Sequence, residues 1–355
     1  MLENMKRAQS ATLAAFLMLA LAVAARPQAA DNYAIGADVS FLEQAEEQGK
    51  VFKDNGVAKP GLQILKDHGY NWIRLRIFHS PTELPNNLAY TIALAKSAHQ
   101  LGFRFLLDFH YSDTWADPGK QFLPKSWQGL SHAQLVKAVY DYTRQTIAAF
   151  REAGVPPDMV QIGNEVINGM LWPDGHLPEN WRNFAELVNA GIAGVAAGSA
   201  NDPRPQIMIH IDRGGDQDRT KDFFNKLNSY HVDFDVIGQS YYPWWQGSLR
   251  DLRENMAFMS RAYHKDIILV EVAYNWIPAE YKKKPGPFPE SPQGQREFLQ
   301  AVNRIVQETP GGRGKGIFWW EPAVVGSLGA RGFFGADGNA LPVVTVFDKE
   351  HDVEK

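Results

Sequence analysis

A chain of 355 residues, 45% hydrophobic and 21% charged, is long enough for one large barrel or two ordinary domains and has a soluble globular composition. A formal net charge of −4 with no basic run longer than three residues argues against nucleic acid or an anionic membrane as partner. The absence of cysteine excludes a lipoprotein anchor, thiol catalysis and Cys-ligated metal, while 10 Trp, 12 Tyr and 20 Phe supply many flat apolar faces of the kind that suit a sugar ring.

Residues 1–30 run from Lys6 and Arg7 through the apolar stretch Ala11 to Ala25 and end in Ala29 and Ala30, just before Asp31. This reads as a secretory signal peptide, too short for a stable membrane anchor. Residues 31–355 are then the mature domain, with no membrane association after signal removal. An exported chain without disulfides points to a bacterial source and a secreted or periplasmic location.

Ile35 to Ser40 reads as a first short strand carrying Asp38, and Phe41 to Gly56 as a long loop. Pro60 to His68 is a short amphipathic helix stopped by Gly69. Tyr70 to Phe78 is the second strand, whose alternation puts Arg74 and Arg76 on one side. A helix over Thr82 to Leu101 leads to the third strand, Arg104 to Tyr111, where Asp108 and His110 share a face. The loop that follows, Ser112 to Gln128, holds Asp113, Trp115, Asp117, Lys120 and Trp127; a loop of this length is usually functional.

Leu130 to Ala153 has Leu135, Val139, Tyr142 and Ile147 on one helical stripe. Gly154 and Pro156-Pro157 end it, and the apolar run Met159 to Val166 delivers Asn164 and Glu165 at a strand end. A helix over Pro178 to Gly198 precedes the fifth strand, Gln206 to Asp212, which presents His210 and Asp212. Asp216 to Tyr230 is helical, Phe234 to Tyr242 is the sixth strand, and Asp251 to His264 is helical. The seventh strand, Asp266 to Val272, delivers Glu271; a helix over Gln293 to Gln307 and a last strand, Gly316 to Glu321, follow. Strand and helix alternate about eight times, as in a single-domain (β/α)8 TIM barrel. No Gly-rich phosphate loop follows any strand, which disfavours a doubly wound open sheet. The Gly-rich tail after Pro322 has no eighth helix, so something irregular closes the barrel.

In such a barrel the chemistry lies at the C-terminal ends of the strands. Those ends carry Asp38, Arg76, His110, Asn164 with Glu165, His210, Tyr242, Glu271 and Trp320, a convergence of polar and aromatic groups that reads as a site. Two strand-end carboxylates are what glycoside hydrolysis requires. One, kept protonated, donates to the leaving oxygen, and the other, ionised, attacks the anomeric carbon. Arg76 beside Glu271, with a hydrogen bond from Tyr242, would hold Glu271 ionised. Asn164 would reach the sugar 2-hydroxyl.

Several runs resemble the arabinogalactan endo-β-1,4-galactanases of glycoside hydrolase family 53. They are Gly36 to Ser40, Asp108 to Gln121, Gln161 to Trp172 and Phe318 to Pro322. Gly163-Asn164-Glu165 alone is shared by many retaining barrel glycosidases, whereas the Asp108 to Gln121 run is long and specific. The resemblance spans nearly the whole mature chain. It implies an endo-acting retaining enzyme that cuts β-1,4-galactan in pectin side chains. It also implies Glu165 as acid/base, Glu271 as nucleophile, and Trp115, Trp172 and Trp320 along a substrate groove. The partner is the polysaccharide, bound by a monomer. Bacterial relatives often hold a structural calcium in the loop after the seventh strand, but Tyr274 to Pro292 here carries Lys282-Lys283-Lys284 and only Glu280 and Glu290, a poor oxygen cage, so no cofactor is expected.

Blander readings stand beside these. Asp108 and His110 read as substrate-binding or supporting residues, with a buried hydrogen-bonded pair as the alternative. Asp38 suits a distal sugar or a barrel cap, and Trp244-Trp245 suits stacking or loop packing. A zinc site from His110, His210 and Asp212 lacks a close His pair. The competing functions are another endo-β-1,4-glycanase of the same clan, a mannanase or cellulase, or a secreted glycan-binding barrel that has lost catalysis.

Overall fold

The computed structural model describes residues 33–279, 284–324 and 326–348. Eight parallel strands close on themselves: β1 (Ala34–Asp38), β2 (Trp72–Ile77), β3 (Arg104–Phe109), β4 (Met159–Ile162), β5 (Gln206–Ile211), β6 (Val236–Tyr241), β7 (Asp266–Val272) and β8 (Gly314–Trp320). Each pairs with its sequence neighbours, and β1 closes on β8 with Ala34 opposite Gly316 and Asp38 opposite Trp320. This is the expected single (β/α)8 barrel, and from Ala34 the chain forms one compact unit. The expected signal segment, 1–30, lies outside the described residues, as does Glu280 with Lys282 and Lys283. No helix of the described residues is long and apolar enough to cross a membrane.

The helices are α1 (Leu42–Glu47), α2 (Gly61–Asp67), α3 (Leu88–Gln100), α4 (His132–Glu152), α5 (Trp181–Ser199), α6 (Gln217–Ser229), α7 (Leu249–Tyr263) and α8 (Pro292–Gln307). Their starts are set by caps. Ser131 and Gln134 form a reciprocal capping box on α4, Ser248 and Asp251 another on α7, and Ser291 caps α8 ahead of Pro292. On α4, Leu135, Val139 and Ile147 of the expected stripe are buried, together with Phe150, while Tyr142 is half-buried.

Three segments differ from the sequence reading. The helix expected from Thr82 begins only at Leu88, because the Asn87 side chain accepts the Tyr90 N–H at 3.0 Å and fixes the first turn there. Phe41 to Gly56, expected as a loop, contains α1, which buries Leu42 and Ala45, and a hairpin pairing Lys53–Asp54 with Val57–Ala58. Its turn is Asn55-Gly56, both at positive φ (49° and 80°), a primed turn that the dipeptide signals. The fourth strand ends at Ile162, not Val166, since Gly163 and Glu165 adopt positive φ and a 3-10 turn, Val166–Asn168, follows.

Inside the barrel, Ala34, Trp72, Leu106, Met159, Met208, Val236, Ile268, Val270 and Phe318 form one apolar plug below the C-terminal rim. Burying each large side chain stabilises by roughly 1.5–3 kcal/mol. Phe318 fits because its neighbour is glycine: a Cβ on Gly36 would lie 2.2 Å from the Phe318 ring. In place of an α-helix after β8, the tail folds as two 3-10 segments, Gly326–Arg331 and Pro342–Phe347. They are fixed by the Trp319 indole N–H donating to Arg331 O at 2.9 Å and by Phe347 against Tyr70 at 5.4 Å.

Candidate active site

At the C-terminal rim lies a cavity of about 420 Å³. Its walls include Arg76, His110, Trp115, Asn164, Glu165, Asp212, Tyr242, Glu271, Trp320 and Arg331. The chain thus brings both strand-end glutamates to one cavity. Strand geometry aims each of them differently.

Glu165 follows β4 in the left-handed region, at φ 47°. A non-glycine residue there is held by its surroundings, and such strain gathers at functional sites. The turn swings the side chain across to β6, where the Ser240 hydroxyl donates to Glu165 Oε1 at 2.7 Å. Glu271 reaches the cavity by a different device. Ile268 and Val270 both point into the apolar plug, so strict alternation would send Glu271 to the outer face. A register shift prevents this. Gln239 of β6 pairs with Leu269, but the next residue, Ser240, pairs with Glu271, leaving Val270 as the extra residue of a β-bulge. Bulges beside active sites re-aim a side chain in this way.

Beneath the cavity lies a buried polar floor centred on Arg74. Its Nη1 donates to Asp38 Oδ2 and Glu271 Oε1, each at 2.8 Å. Its Nη2 donates to Asp108 Oδ2 at 2.8 Å, Asn164 Oδ1 at 2.9 Å and Gln161 Oε1 at 3.1 Å. One guanidinium thus ties β1, β3, β4 and β7 together, with a rigid fork that no lysine reproduces. Arg76, one residue pair further toward the rim, does not meet Glu271. It pairs with Asp38 at 3.0 Å and with Glu321, and its guanidinium lies under Trp115 at 4.5 Å. The expected Arg76–Glu271 contact is therefore made by Arg74. Both arginines face inward, but the bulge sets Glu271 level with the deeper one.

Asp38 is fully buried and absent from the cavity wall, held by Arg74, Arg76 and Ser40. Burial opposes its ionisation, yet Arg76 and Arg74, with Ser40, outweigh burial and hold the carboxyl below its usual range. Asp108 is likewise interior, accepting from Gln161 Nε2 at 2.5 Å and facing His110 Nε2 at 3.1 Å. His110 Nδ1 accepts the Ala116 N–H at 3.0 Å, so its proton sits on Nε2 toward Asp108. His110 therefore lines the cavity while Asp108 orients it from behind. His210 is buried between Asn164 and Ser240 and is not in the wall. Among the described residues no group of three metal-ligating side chains forms.

Trp115 and Trp320 stand side by side on the wall, ring centroids 6.4 Å apart. Trp172 does not line this cavity. It is half-buried, packs edge-on against His176 at 4.5 Å and donates its indole N–H to Asn168 O. Trp244 is buried under the loop, whereas its neighbour Trp245 reaches the cavity. Arg331, from the irregular tail, enters the wall among Tyr242, Trp245 and Trp320, at 5.3 to 5.6 Å from their rings.

The two glutamates differ electrostatically. Burial drives the Glu165 carboxyl well above its usual range, reinforced by Glu271 and Asp212; no cation of the described residues pairs with it. Burial raises Glu271 as well, but Arg74 and the Tyr242 hydroxyl, which donates to Oε2 at 3.0 Å, oppose that rise. A proton shared between them therefore sits on Glu165. Tyr242 keeps its own proton, because burial and Glu271 push its ionisation far up. Glu321 is a second protonated carboxyl: burial lifts it to about 8 against Arg76.

A barrel with two unlike carboxyls in one rim cavity defines a glycosidase of the (β/α)8 type. Comparison with known proteins makes this specific. The sequence model of glycosyl hydrolase family 53 matches residues 34–354. The arabinogalactan endo-β-1,4-galactanase of Cellvibrio japonicus is 34% identical over 93% of this chain and 95% of its own. A Niallia circulans protein described only as uncharacterized, encoded in the bgaB 5′ region, is 42% identical over 84% and 85%. Among solved structures, the Ignisphaera aggregans GH53 catalytic domain superposes with a TM-score of 0.83 at 34% identity, covering 90% of this chain and 97% of that one. A fungal β-1,4-galactanase gives 0.83 at 34%, covering 88% and 98%. The chain belongs to glycosyl hydrolase family 53.

Proposed function

We propose that this protein is a secreted, endo-acting arabinogalactan β-1,4-galactanase that works with retention through a covalent glycosyl-enzyme. The single observation that carries the mechanism is the asymmetry of the two cavity carboxyls. Glu271 is held by a guanidinium and a phenol, whereas Glu165 has a hydroxyl and, among the described residues, no cation. Glu271 is the nucleophile: its ionised oxygen attacks the anomeric carbon and forms the ester. Glu165 is the acid: its proton goes to the departing glycosidic oxygen, and it then takes a proton from the water that cleaves the ester. Both steps balance with water as the only co-substrate. Asn164 gives one Nδ2 hydrogen to Ala116 O at 2.8 Å, leaving the other for the sugar 2-hydroxyl. Trp115 and Trp320 offer ring faces to the sugars of the chain.

Galactan as the substrate rests on family membership and on the names of the galactanase relatives. Export rests on Lys6, Arg7 and the apolar stretch after them, in a chain free of cysteine. The protein acts on the polysaccharide as a monomer.

Reducing-end release is measured on linear β-1,4-galactan beside mannan, xylan and carboxymethylcellulose, with product lengths followed over time. Early mixed oligomers from galactan alone are expected. Activity on mannan or carboxymethylcellulose instead replaces the substrate while keeping the two glutamates, and silence on all four overturns the enzymatic reading.

A further inference from the structure

Behind Glu165, two buried groups that the reaction itself does not use, Ser240 and His210, lead back in a chain to Asn164. Ser240 Oγ, at the end of β6, is 2.7 Å from Glu165 Oε1 and 2.8 Å from His210 Nε2. His210 Nδ1 is 3.0 Å from Asn164 Oδ1. Ser240 and His210 are both fully buried, so water does not compete for these contacts.

The hydrogens in this chain follow from its far end. Asn164 Nδ2 donates to Ala116 O, so Oδ1 is the acceptor, already facing Arg74 Nη2. His210 must therefore carry its proton on Nδ1. The ring stays neutral, because burial, Arg74 and His110 all oppose a charge there. Nε2 is then a lone pair aimed at Ser240. The serine hydroxyl has one hydrogen and two acceptors in reach, and it can satisfy only one at a time.

We propose that Ser240 is a positioning residue that sets the proton affinity of Glu165, its hydroxyl hydrogen turning to His210 Nε2 while Glu165 is protonated and to Glu165 Oε1 once that proton has left. No proton passes to His210; the Glu165 proton goes to the glycosidic oxygen, and the hydroxyl only rotates. The device makes both states of the acid satisfied. While the acid is neutral, its oxygen needs no donor and the imidazole is served. When a carboxylate forms in the same buried place, a donor is already beside it, 2.7 Å away. Competition from His210 keeps that stabilisation smaller than a dedicated donor would give, so Glu165 returns to the protonated state that the next cycle needs. The other groups that bear on Glu165 are Glu271 of β7, Asp212 after β5, Asp117 in the loop after β3, and Tyr242 after β6. The three carboxyls oppose its ionisation, and the phenol already serves Glu271.

This inference rests on Glu165 being the acid/base, and its test separates the two. The side-chain carboxyl of Glu165 is titrated by 13C NMR in protein labelled at glutamate Cδ, with Glu165→Gln assigning the resonance. Ser240→Ala is expected to raise the Glu165 midpoint by about one pH unit, the size of one lost charge-assisted hydrogen bond. Ser240→Thr, which keeps the hydroxyl, is expected to restore it. His210→Asn is expected to lower it by about half a unit: its amide replaces Nδ1 toward Asn164, and the serine hydrogen is then committed to the carboxylate. The alkaline limb of kcat/KM is expected to move with each midpoint. A midpoint that stays put in Ser240→Ala, or that moves the same way in both variants, overturns the proposal. Midpoints that move as stated while the alkaline limb does not leave the serine relation standing and remove Glu165 from the acid role. If melting curves show His210→Asn unfolded, Ser240→Ala against Ser240→Thr decides alone.

Discussion

Arg74 Nη1 meets Glu271 Oε1 at 2.8 Å across the barrel, joining β2 to the bulged end of β7. The same nitrogen holds Asp38, and its twin holds Asp108. One buried cation thus serves three carboxylates, of which only Glu271 lines the cavity. Burial raises the Glu271 carboxyl, and Arg74 opposes that rise in the residue proposed as the nucleophile.

Arg74→Lys keeps the charge but loses the fork. Glu271 then ionises at higher pH, so the acidic limb of kcat/KM moves upward, and kcat falls by about two orders of magnitude as the nucleophile loses its fixed geometry. Arg74→Met leaves buried carboxylates unpaired and costs about 3–5 kcal/mol of stability. Steady-state pH profiles and urea melts check both. An acidic limb unmoved in Arg74→Lys contradicts the role given to this contact.

Glu165→Ala removes the proposed proton donor but not the proposed nucleophile. Cleavage of galactan is expected to fall at least ~10³-fold, while aryl β-galactosides with a dinitrophenolate leaving group, which needs no acid, retain far more of their bond-cleavage rate. Azide, standing in for the activated water, is expected to restore turnover on the aryl substrate. Comparable losses on both substrates count against Glu165 as the acid.

Glu321 makes alkaline stability testable. Its carboxyl is lifted by burial from the ordinary 4.5 to about 8 in the folded protein. The folded state therefore binds a proton that the unfolded chain gives up between those values, and stability falls as pH rises through the window. Below pH 4.5 both states are protonated and the contribution vanishes. Glu321→Gln keeps an acceptor for Arg76 and has nothing to ionise. It is expected to match the native protein near pH 4 and to exceed it increasingly up to about pH 8, as read by denaturant midpoints at each pH. Parallel curves for the two proteins would show that Glu321 is not the titrating group.

How much of this was legible in the sequence depends on what alternation can carry. The order of strands and helices followed from period and stop residues, and Asp38, His110, Tyr242, Glu271 and Trp320 sit at or next to strand ends, where the pattern put them, while Glu165 stands three residues past the end of β4. Depth was not legible. Arg74 and Arg76 share a face, and nothing in their spacing says that the bulge at Val270 brings Glu271 level with the deeper one. Asp38, Asp108 and His210 read as candidates for sugar contact, but the first two form the floor under the site and the third stands behind Asn164. Glu321 follows Trp320, so strict alternation turns it outward and the pattern gives it no role; its φ of 51° folds it back onto Arg76. Arg331 comes from the tail after β8, whose 3-10 path has no period to read. Ser240 was visible at the end of the sixth strand, but a serine carries no signal until its neighbours are known.

The central claim is that Glu271 attacks the sugar and Glu165 does not. It is tested by inactivating the enzyme with a dinitrophenyl 2-deoxy-2-fluoro-β-galactobioside, whose fluorine slows breakdown of the glycosyl-enzyme, followed by peptide mapping of the labelled protein. The account predicts one sugar adduct per chain, on the peptide bearing Glu271, and none in Glu271→Gln. A label on Glu165, or steady turnover of unmodified galactan by Glu271→Gln at the native rate, would contradict it.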